Sequence, residues 1–144
     1  MVEQKWKIID NQNLADVMVE VYGKNEEDLM SNILGIFTDI ITERDELKDE
    51  IEKTVKISGK NLPDLILNFI NKLIYLKDTA FMIFRNGKHN LTFTQRGYSL
   101  NSILSGQKIS KDLAIKTDIK ALALHKFKIQ KIKNRYKVSL VFDI

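Results

Sequence analysis

The chain of 144 residues contains no cysteine. That absence excludes disulfides, thiolate-bound metals and a cysteine nucleophile, and it fits a reducing compartment such as the cytoplasm. Proline and tryptophan each occur once, so there is neither a proline-rich linker nor a broad aromatic platform. The two histidines, His89 and His125, are far apart and lack the spacing of a helical metal motif. Glycine occurs six times, but never as a phosphate-binding loop, a dinucleotide fingerprint or a nucleophile elbow. No stretch approaches the roughly 18 unbroken apolar residues of a membrane span. The start, MVEQKWKIID, lacks the apolar centre of a signal peptide. The expectation is a cytoplasmic protein with no membrane partner and no small-molecule substrate.

Positive charge is present, and it is unevenly placed. The chain carries 23 Lys and Arg against 19 Asp and Glu, a net charge of +4. Lys116, Lys120, Lys126, Lys128, Lys131, Lys133, Arg135 and Lys137 face only Asp118 and Asp143 in residues 116–144. A basic third of this kind marks either a polyanion or acidic partner, or a lysine-protected sheet edge. Stacking of single-stranded bases needs exposed aromatics among the cations. Only Phe127 and Tyr136 are available, and alternation turns Phe127 inward.

Residues 5–9 and 16–23 alternate as strands, the second carrying Val17, Val19 and Val21 on one face and closing at Gly23. An amphipathic helix over 25–43 follows, with Asn25 as its cap and Leu29, Ile33, Phe37 and Ile41 in its stripe. Gly35 inside it costs about 1 kcal/mol relative to alanine, which points to a close neighbour. Ile51, Val55 and Ile57 share a strand face, and Pro63 opens a second helix over 62–78. Asn86-Gly87 reads as a hairpin turn, and the Gly- and Ser-rich 97–112 as a loop. A strand from Leu113 then pairs with residues 135–143 around Lys133-Asn134. No internal repeat is evident. The fold class is α+β: one domain over 1–144, two helices packed on a largely antiparallel multi-stranded sheet.

In IKALALHKFKI, alternation puts Ile119, Ala121, Ala123, His125, Phe127 and Ile129 on one apolar face. His125 is then either a hydrogen-bonded core histidine or a polar group at a pocket edge, and Lys120 points the other way. Asp16 opens an early strand and Asp143 closes the last. If those strands are antiparallel neighbours, the two carboxylates meet, beside carbonyls or the terminus of Ile144. Such hard oxygens suit Ca²⁺ or Mg²⁺; the competing reading is two solvated acids.

Four segments in this order resemble the archease family, protein cofactors of the RNA-splicing ligase that joins cleaved tRNA halves. LADV (14–17) is similar to the family's H-T-A-D-V, and ISGKNLPDLILNFINKLIYLKD to its strand–glycine–helix block. TDIKALALHKFKI is similar to its I-K-A-[VL]-T-Y-H, and VSLVFDI to its closing V-V-x-D-I. The resemblance implies a non-catalytic accessory protein that promotes guanylylation and turnover of the ligase, touching tRNA through the ligase. It also implies a divalent cation, calcium foremost with magnesium or manganese as alternatives, held by Asp16, Asp143 and Ile144. Lys120 and His125 fall on the family's lysine and histidine as candidates for partner contact, and Asn13 stands at the place of its first histidine. The chain departs from the pattern at Asn13, Leu14, Tyr98, Ala123 and Leu124, and losses of supporting polar groups cost about 10–100-fold in affinity or activity. Two other roles fit the sequence: a chaperone-like modulator of another RNA-processing enzyme, or a small basic RNA-binding module.

Overall fold

The same local chemistry starts both helices. In this computed structural model, which describes residues 4–10 and 15–144, the elements are β1 (Trp6–Asp10), β2 (Asp16–Gly23), α1 (Glu26–Ile41), β3 (Ile51–Gly59), α2 (Leu62–Ala80), β4 (Met82–Thr94), β5 (Gly97–Lys108), β6 (Ala121–Ile132) and β7 (Arg135–Asp143). Asn25 Oδ1 accepts the Asp28 N–H at 2.8 Å, and Asn61 Oδ1 accepts the Asp64 N–H at 2.9 Å. Each aspartate in turn accepts the N–H of the residue before the cap, Lys24 or Lys60. Nearly two turns into each helix, Asn32 and Asn68 reach back and donate to the strand carbonyls of Tyr22 and Ser58. Side-chain oxygens thus satisfy the helix-start donors that would otherwise have no partner.

These matches expose a repeat, G-K-N-x-x-D-L-x-x-N, at Gly23–Asn32 and again at Gly59–Asn68. Its glycines are dictated by contact: a Cβ on Gly23 would lie 2.7 Å from Leu29 Cα, and one on Gly59 2.6 Å from Leu65 Cα. The repeat extends to topology. The strands form two antiparallel sheets, β1-β2-β7-β6 and β3-β5-β4. In each, a strand that feeds a helix pairs with the second strand of a hairpin. The molecule is therefore two copies of one β-α-β-β unit, with β1 added to the first. The expected α+β class with two helices on antiparallel strands holds, but the strands are divided between two sheets. The repeat escapes a periodicity reading because few positions match outside the caps.

The core lies between the sheets and the helices. Val19, Val21, Leu29, Ile33, Leu65, Phe69, Val138, Leu140 and Phe142 are all fully buried. Phe37 of α1 meets Phe142 edge-on at 6.3 Å. The close neighbour demanded by Gly35 is Trp6, whose ring would sit 2.5 Å from an added Cβ. α1 also seals the open edge of β4, since Thr38 donates to the Phe84 carbonyl at 2.7 Å and Glu27 accepts the Leu91 N–H at 3.2 Å.

Sheet β3-β5-β4 departs from the sequence expectation. Asn86-Gly87 is not a turn: β4 continues through it, with a bulge just before Asn86, and the hairpin closes at Gly97, whose φ is +114°. Residues 97–108 are not a loop but β5, the central strand. Small and polar residues on its inner face hide the alternation. Gly106 lies under the β4 backbone, where a Cβ would be 2.1 Å from the Ile83 carbonyl oxygen. Ser102, fully buried, hydrogen-bonds His89 Nδ1 at 2.7 Å, and the imidazole meets Phe69 edge-on. Gly87 leaves room for that ring, since its own Cβ would be 3.1 Å from His89 Cε1.

The strand expected from Leu113 begins only at Ala121. The stretch before it crosses the ends of both helices and is tied down: Lys116 N–H donates to the Ile41 carbonyl, Thr42 Oγ1 to that of Ala114, and Lys77 Nζ to Asp118 at 2.7 Å. Lys77 is only 5% exposed and also pairs with Asp78. Burial alone would lower its pKa, but hydrogen bonds to Asp118 and Asp78 outweigh burial and raise it.

Two predictions follow from these buried groups. Burial drops the His89 pKa from 6.5 to about 4. Its stabilising contribution is therefore complete above pH 6.5 and is lost as pH falls from there toward 4. Stability should fall by about 2 kcal/mol from this residue between pH 7 and pH 5. In urea titrations at the two pH values, His89→Phe, which keeps a ring against Phe69 but cannot titrate, should be less pH-dependent by that amount. Lys77→Met should cost about 1–3 kcal/mol and speed amide exchange at Lys120, two residues beyond the tie at Asp118; unchanged exchange would show that the tether is dispensable.

Candidate functional site

β2 and β7 pair without a break from Asp16↔Asp143 to Gly23↔Tyr136. The two aspartates that begin one strand and end the other are thus directly opposite. Facing residues of an antiparallel pair share one side of the sheet, with Cβ atoms about 4.5–5.5 Å apart. Their neighbours Val17 and Phe142 point into the core, so both carboxylates project from the outer face, where each is half-buried. Ile144 N–H donates to the Ala15 carbonyl at 3.0 Å, and Lys120 N–H to the Asp143 carbonyl at 2.8 Å. Three chain segments therefore meet at one corner. Ile119 anchors the third, being fully buried.

No ion pair among the described residues involves Asp16 or Asp143. The same corner of the other repeat is different. There Glu52 faces Ser105, whose hydroxyl donates to Asp49, and Asp49 is answered by Arg85 at 3.6 Å. One corner carries its own cation and the other opposes two acids. Among the described residues no three of His, Cys, Asp and Glu cluster as a metal site. A cation held here by these residues would have to take a backbone oxygen, such as that of Ile144, as a further protein donor. Two carboxylates and a backbone oxygen are a donor set for a hard divalent ion.

Lys120 is exposed and joins the corner through its backbone. Asn13, with Leu14, and the side chain of His125 lie outside the described residues. The alternation drawn through His125 does not survive: β6 bulges against β7 between Ala123 and Lys128, and Lys126 has φ +65°. Leu122 and Ala123 are both buried, while Leu124 is 65% exposed. Beyond the corner, sequence reasoning missed a second polar cluster on the same face. Glu20 accepts from Tyr22 and binds Lys137 at 2.9 Å and Lys7 at 3.4 Å. Hydrogen bonding from Lys137, more than any other contact, depresses its pKa. The signal was available in part, since alternation puts Glu20 on the face opposite the valines together with Asp16, but its partners come from β1 and β7.

No helix of the described residues is long and apolar enough to cross a membrane. The model of the Archease protein family (MTH1598/TM1083) matches residues 6–144, from β1 to the corner itself. Protein archease of Archaeoglobus fulgidus is 29% identical over 140 residues, covering 97% of this chain and 99% of that protein. Protein archease of Pyrococcus abyssi is 26% identical over 135 residues, covering 92% and 95%. Among solved structures, protein 1598 of Methanobacterium thermoautotrophicum has the same fold, with a TM-score of 0.81 at 18% identity over 97% of this chain and 99% of that one. An archease and possible chaperone of Thermotoga maritima aligns with a TM-score of 0.62 at 18% identity over 94% and 96%. Sequence segments, fold and family match agree over nearly the whole length: the chain belongs to the archease family.

Proposed function

We propose that this chain is a non-catalytic accessory protein of an RNA-splicing ligase, promoting guanylylation of the ligase and its repeated turnover. We further propose that Asp16, Asp143 and a backbone oxygen of Ile144 hold a divalent cation, calcium foremost, with magnesium or manganese as alternatives. The observation that carries the reading is the register of β2 on β7, which sets two aspartates directly opposite each other, neither in an ion pair with another described residue, in a member of the archease family. A bound divalent ion would supply charge neutralisation there and leave coordination positions for oxygens of water or of a partner. Lys120 and Leu124, both exposed near this corner, are the side chains that a docked ligase would meet. The second reading, a chaperone-like modulator of another RNA-processing enzyme, is favoured by the description of the Thermotoga maritima relative. A pull-down from native lysate that recovers such an enzyme and no ligase would select it.

Calorimetric titration of metal-stripped protein with Ca²⁺, Mg²⁺ and Mn²⁺ tests the site. Saturable binding is expected, weakened at least tenfold in Asp143→Asn and in Asp16→Asn; no binding by the wild type removes the cation from the reading. In the metal-free protein, Asp143→Asn should raise stability by about 0.2–1 kcal/mol, because like charges directly opposite on a sheet repel. Added to a slow cognate ligase, the protein should accelerate guanylylation, and an unchanged rate with and without metal would refute the accessory role.

A further inference from the structure

The outer face that carries Asp16 and Asp143 at one end is basic at the other. Register places Lys7, Glu20, Ser139 and Lys128 in one row across β1, β2, β7 and β6. The next row on that side is Lys5, Tyr22, Lys137 and Gln130, Lys5 being fixed there by the Tyr22 N–H on its carbonyl at 2.9 Å. Four ammonium groups thus share this end with one carboxylate. Glu20 is 14% exposed and holds the Lys7 and Lys137 ammonium groups on the face. Lys5 and Lys128 are exposed, and neither enters an ion pair formed by the described residues.

Guarding of sheet edges accounts for only part of the arrangement. Lys7 and Lys128 lie on the edge strands β1 and β6, with Lys5 just before β1, where charges block edge-to-edge pairing, but Lys137 lies on β7, an interior strand, and all four share one face. Neither row contains an aliphatic side chain. Lysine is depleted from protein–protein interfaces, whose energy comes from buried aromatic and arginine anchors; phosphate backbones are bound by lysines and polar groups. Rows two residues apart on one face are separated by about 6.6–6.8 Å, comparable with the spacing of successive phosphates on a strand. We propose that this end of the outer face binds the phosphate backbone of an RNA strand, without reading its sequence, through Lys5, Lys7, Lys128 and Lys137.

The test is fluorescence anisotropy with a labelled 12-nucleotide RNA across a series of KCl concentrations, in EDTA and without ligase. Its outcome is therefore independent of the metal site and of ligase activation. Three to four contacts to a single strand predict that log K falls with log [KCl] at a slope of about −2 to −3. Lys5→Gln with Lys128→Gln, which leaves the Glu20 cluster intact, should lower affinity about tenfold and bring the slope closer to zero by about 1.4. The four-lysine Gln variant should abolish binding. A control with Lys48, Lys53 and Lys111 changed to Gln, elsewhere on the surface, should bind within about twofold of wild type at moderate salt. Absent or salt-independent binding overturns the proposal, as does a control that loses as much affinity as the Lys5/Lys128 pair. A polyglutamate peptide that binds as tightly as the RNA would assign the face to an acidic protein instead.

Discussion

The strand-to-helix corner, built twice from Gly-Lys-Asn-x-x-Asp-Leu, is the constraint on which the rest of the structure depends. The glycine has no side chain because the helix's first core leucine occupies that space. The asparagine caps the helix, the aspartate closes the turn, and a second asparagine ties the helix back to the strand. Together these contacts fix the angle at which each helix leaves its strand. They also deliver Leu29 and Leu65 into the core, where full burial of each is worth about 1.5–3 kcal/mol. With both helices set this way, each hairpin has a strand waiting to be paired: β7 joins β2, and β5 joins β3.

Repetition makes the differences between the two units informative. Position for position, Lys77 in α2 stands where α1 has the buried Ile41. That lysine is tolerated because Asp78 and Asp118 meet it, and through Asp118 it fastens the segment that leads to Lys120. The candidate corner therefore rests on a connection that the second helix holds in place. The corners themselves diverge in the same way, one with Arg85 answering an acid and the other with two acids opposed. The sheet that bears the opposed acids is also the one with a basic outer end. Its face is thus electrostatically divided along the strands.

Much of this protein was legible from residues alone, wherever the governing chemistry is local. Both helices, their asparagine caps and the proline in the first turn of α2 follow from periodicity and capping within a few positions. The turn at Lys133-Asn134 follows likewise, and both residues have the positive φ that such a hairpin turn requires. The strand faces of β2 and β3 were readable because valine and isoleucine alternate there. β5 was not readable, because Ser102 and Gly106 occupy its inner face for reasons supplied by His89 and by the backbone of β4.

By itself the sequence determined the two helices and the strands that feed them, and it placed one acid at the start of β2 and another at the end of β7. Only tertiary structure decided that those acids face each other, that the strands divide into two sheets, and that β6 bulges before it reaches its hairpin. The reason is the range of the forces involved. Capping and periodicity act between residues a few positions apart, whereas strand partner and register are fixed by burying faces whose residues are distant in the chain. A shift of one residue would turn Phe142 out to solvent and Asp143 into the core.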